Sequence, residues 1–128
     1  MHKPTFLIYK LIFVFFIFMG FANCSNKPSA QEVKAWEEYS KFAYITVKNE
    51  SGFPLNSIMF FPYDKIARKI NLKNGNDTLI NLSCSGESYY LITAILSNGD
   101  SLKTHGNYFE GGYQLTEIIK SDSIITKY

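Results

Sequence analysis

Tyr89-Tyr90-Leu91-Ile92-Thr93-Ala94-Ile95-Leu96 leads into Ser97-Asn98-Gly99-Asp100 and then into Ser101-Leu102-Lys103-Thr104-His105. The first stretch is the longest largely apolar run outside the N-terminal segment. Its aromatic and β-branched side chains predict a central strand. Asn98-Gly99 is the clearest hairpin signal in the chain, because both central residues of a type I′ turn need positive φ. Ser101 to His105 is then expected to pair back on the same strand.

The same grammar extends to both sides. Tyr44-Ile45-Thr46-Val47-Lys48 alternates with period two, so Ile45 and Val47 face inward. Asn49-Glu50-Ser51-Gly52 is a turn. Ser57 to Phe61 is apolar on both faces and bounded by Pro54 and Pro62. Ile66, Ile70 and Leu72 are expected on one face of the next strand, with Lys65, Arg68 and Lys69 as its polar part. Lys73-Asn74-Gly75-Asn76-Asp77 turns the chain. Ile80, Leu82 and Cys84 then face one way, and Ser85 to Ser88 turns again. Tyr113 to Ile119 and Ser123 to Tyr128 form a last hairpin. Short strands at this spacing, with no helix between them to build a βαβ unit, predict an all-β fold. The expected architecture is a small β-sandwich of about seven or eight antiparallel strands over residues 43–128, with a partly open barrel as the alternative. It lacks the paired cysteines around a tryptophan that mark immunoglobulin domains.

Ahead of the strands, Ser29-Ala30-Gln31-Glu32 matches a capping box, and Val33, Trp36, Tyr39 and Phe42 follow at a spacing of three. A short amphipathic helix over 30–42 is expected, docked through Trp36 and carrying a Glu37–Lys41 pair.

Residues 1–23 are unlike the rest. Lys3 and Lys10 are their only charges, and Leu11 to Met19 is apolar without a break. A basic start, a short apolar run and small residues before a break form the pattern of an export signal, and the run is too short to span a bilayer. Phe21-Ala22-Asn23-Cys24 follows. Here the sequence resembles a bacterial lipoprotein signal, with those four residues as the lipobox. Phe21 and Asn23 stand where the usual box carries an aliphatic and a small residue, which looks like the looser boxes of Bacteroidetes-type lipoproteins. The resemblance implies cleavage before Cys24, acylation of that cysteine, residues 24–29 as a tether, and a cell-envelope location. Ser25 is compatible with delivery to the outer membrane.

Composition narrows the chemistry. A chain of 128 residues that is 46% hydrophobic and 16% aromatic is neither disordered nor a multi-domain enzyme. Without residues 1–23, eleven basic side chains face eleven acidic ones. The mature chain is therefore neutral, has no basic cluster, and is not expected to bind nucleic acid. His105 is its one histidine and Cys84 its one cysteine beyond Cys24. That excludes a four-ligand zinc site, and no cofactor or metal is expected. Cys84 reads as a buried thiol, and Glu110 and Glu117 read as solvated acids. Asn49-Glu50-Ser51, Asn76-Asp77-Thr78 and Asn81-Leu82-Ser83 are formal glycosylation sequons, relevant only in a eukaryotic source.

One segment invites a binding role. His105-Gly106-Asn107-Tyr108-Phe109-Glu110-Gly111-Gly112-Tyr113 sets large aromatic side chains among glycines. His105, Tyr108, Phe109, Glu110 and Tyr113 are the candidate partner-contact residues. In the competing reading, Phe109 plugs the end of the sandwich and the glycines allow a bulge. The expected function is a non-enzymatic, membrane-anchored protein-binding module, in concrete form an immunity-type inhibitor of a periplasmic toxin. The alternative is a small envelope hydrolase using Cys84 with His105, or a carboxylate pair.

Overall fold

The computed structural model describes residues 27–128. The expected signal and Cys24 lie outside them. Residues 34–128 form one compact unit, and the described residues 27–33 fall outside it.

Helix α1 runs over Ala30–Tyr39. Its capping box forms as read: the Ser29 N–H donates to Glu32 Oε2 at 2.6 Å, and the Glu32 N–H donates to Ser29 Oγ at 3.2 Å. The hydrogen bonds from Ser29 hold the Glu32 carboxyl below its usual range. The helix ends three residues earlier than expected, because Phe42 already belongs to the first strand. Lys41 is therefore outside the helix, and no Glu37–Lys41 ion pair is present among the described residues. Trp36 does not dock, since it is 68% exposed. Tyr39 takes that role. Its ring stacks on Tyr44 with centroids 4.7 Å apart, and its hydroxyl accepts from Gln114 Nε2 at 2.8 Å.

Nine strands follow: β1 Phe42–Asn49, β2 Leu55–Phe61, β3 Arg68–Leu72, β4 Asp77–Ser83, β5 Ser88–Leu96, β6 Ser101–Lys103, β7 Asn107–Phe109, β8 Gln114–Ile119 and β9 Ile124–Lys127. Among the described residues the fold is all-β with one short helix. One sheet has the order β4-β1-β8-β9, and the other β3-β2-β5-β6, with β7 also paired to β5. Not every pair is antiparallel, as β1 and β8 run parallel in register Tyr44–Gln114 to Asn49–Ile119. A parallel pair needs a long crossover, and here β2 to β7, most of them in the other sheet, provide it.

Alternation decides which side chains are buried. Ala43, Ile45 and Val47 of β1, Ile80 and Leu82 of β4, and Leu115 and Ile119 of β8 meet Ile58 and Phe60 of β2, Leu72 of β3 and Tyr90, Ile92, Ala94 and Leu96 of β5 in one core cluster. Fully burying a large aliphatic or aromatic side chain is worth about 1.5–3 kcal/mol, and among the described residues no disulfide supports the core, Cys84 being free. Cys84 packs half-buried against that core. Ile66 departs from expectation. It precedes β3 and is 83% exposed, so Arg68, Ile70 and Leu72 form the strand's inward row instead.

The Asn98-Gly99 hairpin forms with a different turn. Gly99 has φ +92°, whereas Asn98 is not in the positive-φ region. The Gly99 N–H donates to the Leu96 carbonyl at 3.0 Å, and the Leu96 N–H to the Asp100 carbonyl at 2.9 Å. Ser97, Asn98 and Gly99 thus make a three-residue loop closed by a left-handed glycine, the next commonest hairpin after the two-residue type.

A second junction is polar. Asn49 is fully buried at the end of β1. Its Nδ2 donates to the carbonyls of Phe53 and Leu72, each at 2.8 Å, and its Oδ1 accepts from the Ser51 N–H and hydroxyl at 3.1 and 2.8 Å. An amide so committed is not accessible to glycosylation in the folded chain. Glu50, next in sequence, pairs with Lys48 at 2.7 Å and with Lys120. Hydrogen bonds from Lys120 and then Lys48 hold its carboxyl down to about 2.

Candidate functional site

The segment from His105 to Tyr113 is the return path of the β5 hairpin. Thr93 pairs with Lys103 and Tyr90 with Asn107, so three steps along β5 are matched by four on the returning chain. The extra residue falls in Thr104 to Gly106 and makes a bulge. His105 sits in it, exposed. Beyond the bulge, pairing resumes as β7, within a stretch expected to be a loop.

Resumed pairing sorts the aromatic residues by face. Tyr108 lies opposite Tyr89 in the ladder, and both are exposed, at 42% and 60%. Tyr113, half-buried, meets the Tyr108 ring edge-on with centroids 5.9 Å apart. The Tyr108 hydroxyl donates to Glu110 Oε2 at 3.4 Å. Burial first, then Glu110 and Glu87, push the Tyr108 hydroxyl up, and Glu110 is the chief cause of the rise at Tyr113.

Phe109, expected at the partner surface, has the opposite orientation and faces the core. It is fully buried, with the rings of Tyr90 and Tyr63 at 5.3 and 5.5 Å. Period two gives the reason: neighbours of an outward Tyr108 must point inward. Gly111 is equally constrained, since a Cβ there would lie 1.6 Å from the Ser40 carbonyl oxygen. Gly112 follows with φ +86°. The glycines therefore allow a close backbone approach and a sharp bend.

Beneath this surface is a group that was expected in solvent. Glu117 is fully buried on the inward row of β8, between Leu115 and Ile119. Its Oε1 accepts from the Tyr90 hydroxyl and from Asn107 Nδ2 at 2.9 Å, and its Oε2 accepts from Thr126 Oγ1 at 2.9 Å. Asn107 Nδ2 also reaches Thr126 Oγ1 at 2.8 Å. The donors come from β5, β7 and β9, so the network joins both sheets where their edge strands β7 and β9 adjoin. Burial raises the Glu117 carboxyl, and the three hydrogen bonds oppose that rise. Burial and then the Glu117 hydrogen bond push the Tyr90 hydroxyl far up. No buried side-chain polar atom among the described residues is left without a partner. Period two could have located Glu117, which shares its parity with Leu115 and Ile119.

The Cys84 thiol is pushed up by burial and then by Glu110, the reverse of what a thiolate nucleophile needs. No hydrogen bond joins it to His105 among the described residues. Nor do three or more His, Cys, Asp or Glu side chains gather there as a metal site requires. No described helix is long and apolar enough to cross a membrane.

No family model matches the chain, and no curated protein matches it. Among solved structures, an NMR structure of a protein from Eubacterium rectale resembles it with a TM-score of 0.52. The two are 16% identical, over 66% of this chain and 87% of that one. A likeness at that identity is one of fold, and the fold shared is all-β.

Proposed function

We propose that the two sheets are the layers of a small β-sandwich and that this domain is a non-enzymatic protein-binding module. Acylated Cys24 anchors it in the cell envelope, at the outer membrane. The concrete form is an immunity-type inhibitor that caps a toxic enzyme in the periplasm. The observation that carries the binding role is the exposed Tyr89–Tyr108 pair with Tyr113 against it. Tyr89 and Tyr108 stand on paired strands rather than on a free loop, so little conformational entropy is lost on contact. Neither His105 nor Cys84 is needed for this role.

The test is co-purification of the full chain from its native envelope, with the intact mass of the mature N-terminus read from the same sample. Acyl mass on Cys24 and a stoichiometric protein partner, lost in a Tyr89→Ala, Tyr108→Ala variant that keeps its melting temperature, are expected. An unacylated chain overturns the anchor. A partner retained by that variant overturns the site.

A further inference from the structure

The tyrosine surface also carries charge. Of the acids that flank it, Glu110 is within hydrogen-bonding reach of the Tyr108 hydroxyl, and Glu87 immediately precedes β5, two residues before Tyr89. Both act on the Tyr108 and Tyr113 hydroxyls. Elsewhere the chain neutralises its clustered charge: Glu50 holds two lysines, and Asp64 holds Arg68. Glu87 and Glu110 make no ion pair among the described residues. Lys103, which β6 places opposite Thr93, is four residues along β5 from Tyr89, or about 13 Å at the rise of a strand.

Exposed rings bordered by unpaired carboxylates form a receptor for cations. The ring face attracts a guanidinium or ammonium group, and the carboxylates neutralise it at the edge. Among the described residues, one guanidinium already lies over an aromatic ring while paired to a carboxylate, there at a buried ring. The Arg68 guanidinium lies 5.8 Å from the centre of the Phe60 ring while its nitrogens hold Asp64 at 2.6 and 2.8 Å.

We infer that the Tyr89–Tyr108–Tyr113 surface takes a cationic segment of a protein partner, with an arginine or lysine side chain over the tyrosine rings and paired to Glu110 and Glu87. This rests on the reading of the same surface as a partner-binding site, and it names the partner's chemistry there.

The test uses the full chain in neutral detergent and three labelled short peptides, with glycine alternating with arginine, lysine or glutamate, followed by fluorescence anisotropy. The arginine peptide binds best, lysine less well and glutamate not at all, and affinity falls as salt rises. The Glu87→Gln, Glu110→Gln variant weakens arginine-peptide binding about five- to tenfold, as does Tyr108→Leu. Glu50→Gln, at the opposite end of β1 from Tyr44, changes nothing. Equal binding of the glutamate peptide, or unchanged binding in the Glu87/Glu110 variant, overturns the inference. The two claims fail separately. A native partner lost in the tyrosine variant but indifferent to both glutamates leaves the partner site standing and removes the cationic inference. Peptide binding that needs the glutamates, alongside a native partner that ignores the tyrosines, does the reverse.

Discussion

Tyr90 and Glu117 belong to different sheets, and the hydroxyl of one donates to the carboxylate of the other inside the core. A buried carboxylate is tolerated only when its oxygens are satisfied. Tyr90→Phe removes one of three donors and is expected to cost about 1–2 kcal/mol. Glu117→Ala strands three donors and leaves a void, so about 3 kcal/mol or more is expected. The two changes together should cost clearly less than their sum. Urea unfolding of the four proteins in this cycle measures the coupling, and simple additivity would sink the idea that the two groups act as a unit.

Two acids give stability opposite dependences on pH. Glu50 is held down to about 2 from an ordinary value of 4.5. Its contribution is complete above 4.5 and is lost as pH falls through about 2. Glu117 is raised from 4.5. Its contribution is complete below 4.5 and is lost as pH rises through its folded value. Urea midpoints measured against pH should therefore show Glu50→Gln flattening the acid limb and Glu117→Gln flattening the decline above 4.5. The same limb changing in both variants would refute this assignment.

Gly111 and Gly75 separate two reasons for glycine. A Cβ at Gly111 meets backbone at 1.6 Å, whereas at Gly75, with φ +85°, nothing lies within 4 Å. Gly111→Ala must displace the Ser40 carbonyl or the turn, at a cost of about 2–3 kcal/mol. Gly75→Ala carries only left-handed strain, about 1 kcal/mol. Thermal melts of the two variants decide the order.

At Asn49, charge rather than size should matter. The amide donates to two carbonyls, of Phe53 and Leu72. Asn49→Asp turns those donor contacts into acceptor against acceptor in a fully buried site, so it should destabilise more than Asn49→Ala, which costs about 2–3 kcal/mol. Chemical denaturation at neutral pH tests this, and the aspartate variant should recover relative to alanine on acidification.

Local order was legible wherever alternation was uninterrupted. Ile45 with Val47, and Ile80 with Leu82, are inward as their period implies. Glu117 reads as a surface acid by its chemistry and as a core residue by its register, and the register prevails. Its donors Tyr90, Asn107 and Thr126 sit on three other strands, and no local pattern announces which strands will adjoin. Tyr39 rather than Trp36 anchors the helix for a related reason. Spacing defines a stripe, but the position of β1 decides which member of the stripe reaches it. The aromatic segment was found by composition, yet only the pairing of β7 with β5 separates outward Tyr108 from inward Phe109.

The parallel pairing of β1 with β8 has a kinetic consequence. Tyr44 pairs with Gln114, seventy positions later. Its antiparallel partner on the other side, Asn81, is available much sooner. Closing so long a loop is entropically slow, which places folding in the millisecond-to-second range of β-rich domains. Until Gln114 and the residues after it have been synthesised, one edge of β1 stays open, with Tyr44, Thr46 and Lys48 along it. A lysine on such an edge discourages pairing with another chain. Lys48, which ends as a partner of Glu50, thus also guards the nascent strand during its long wait.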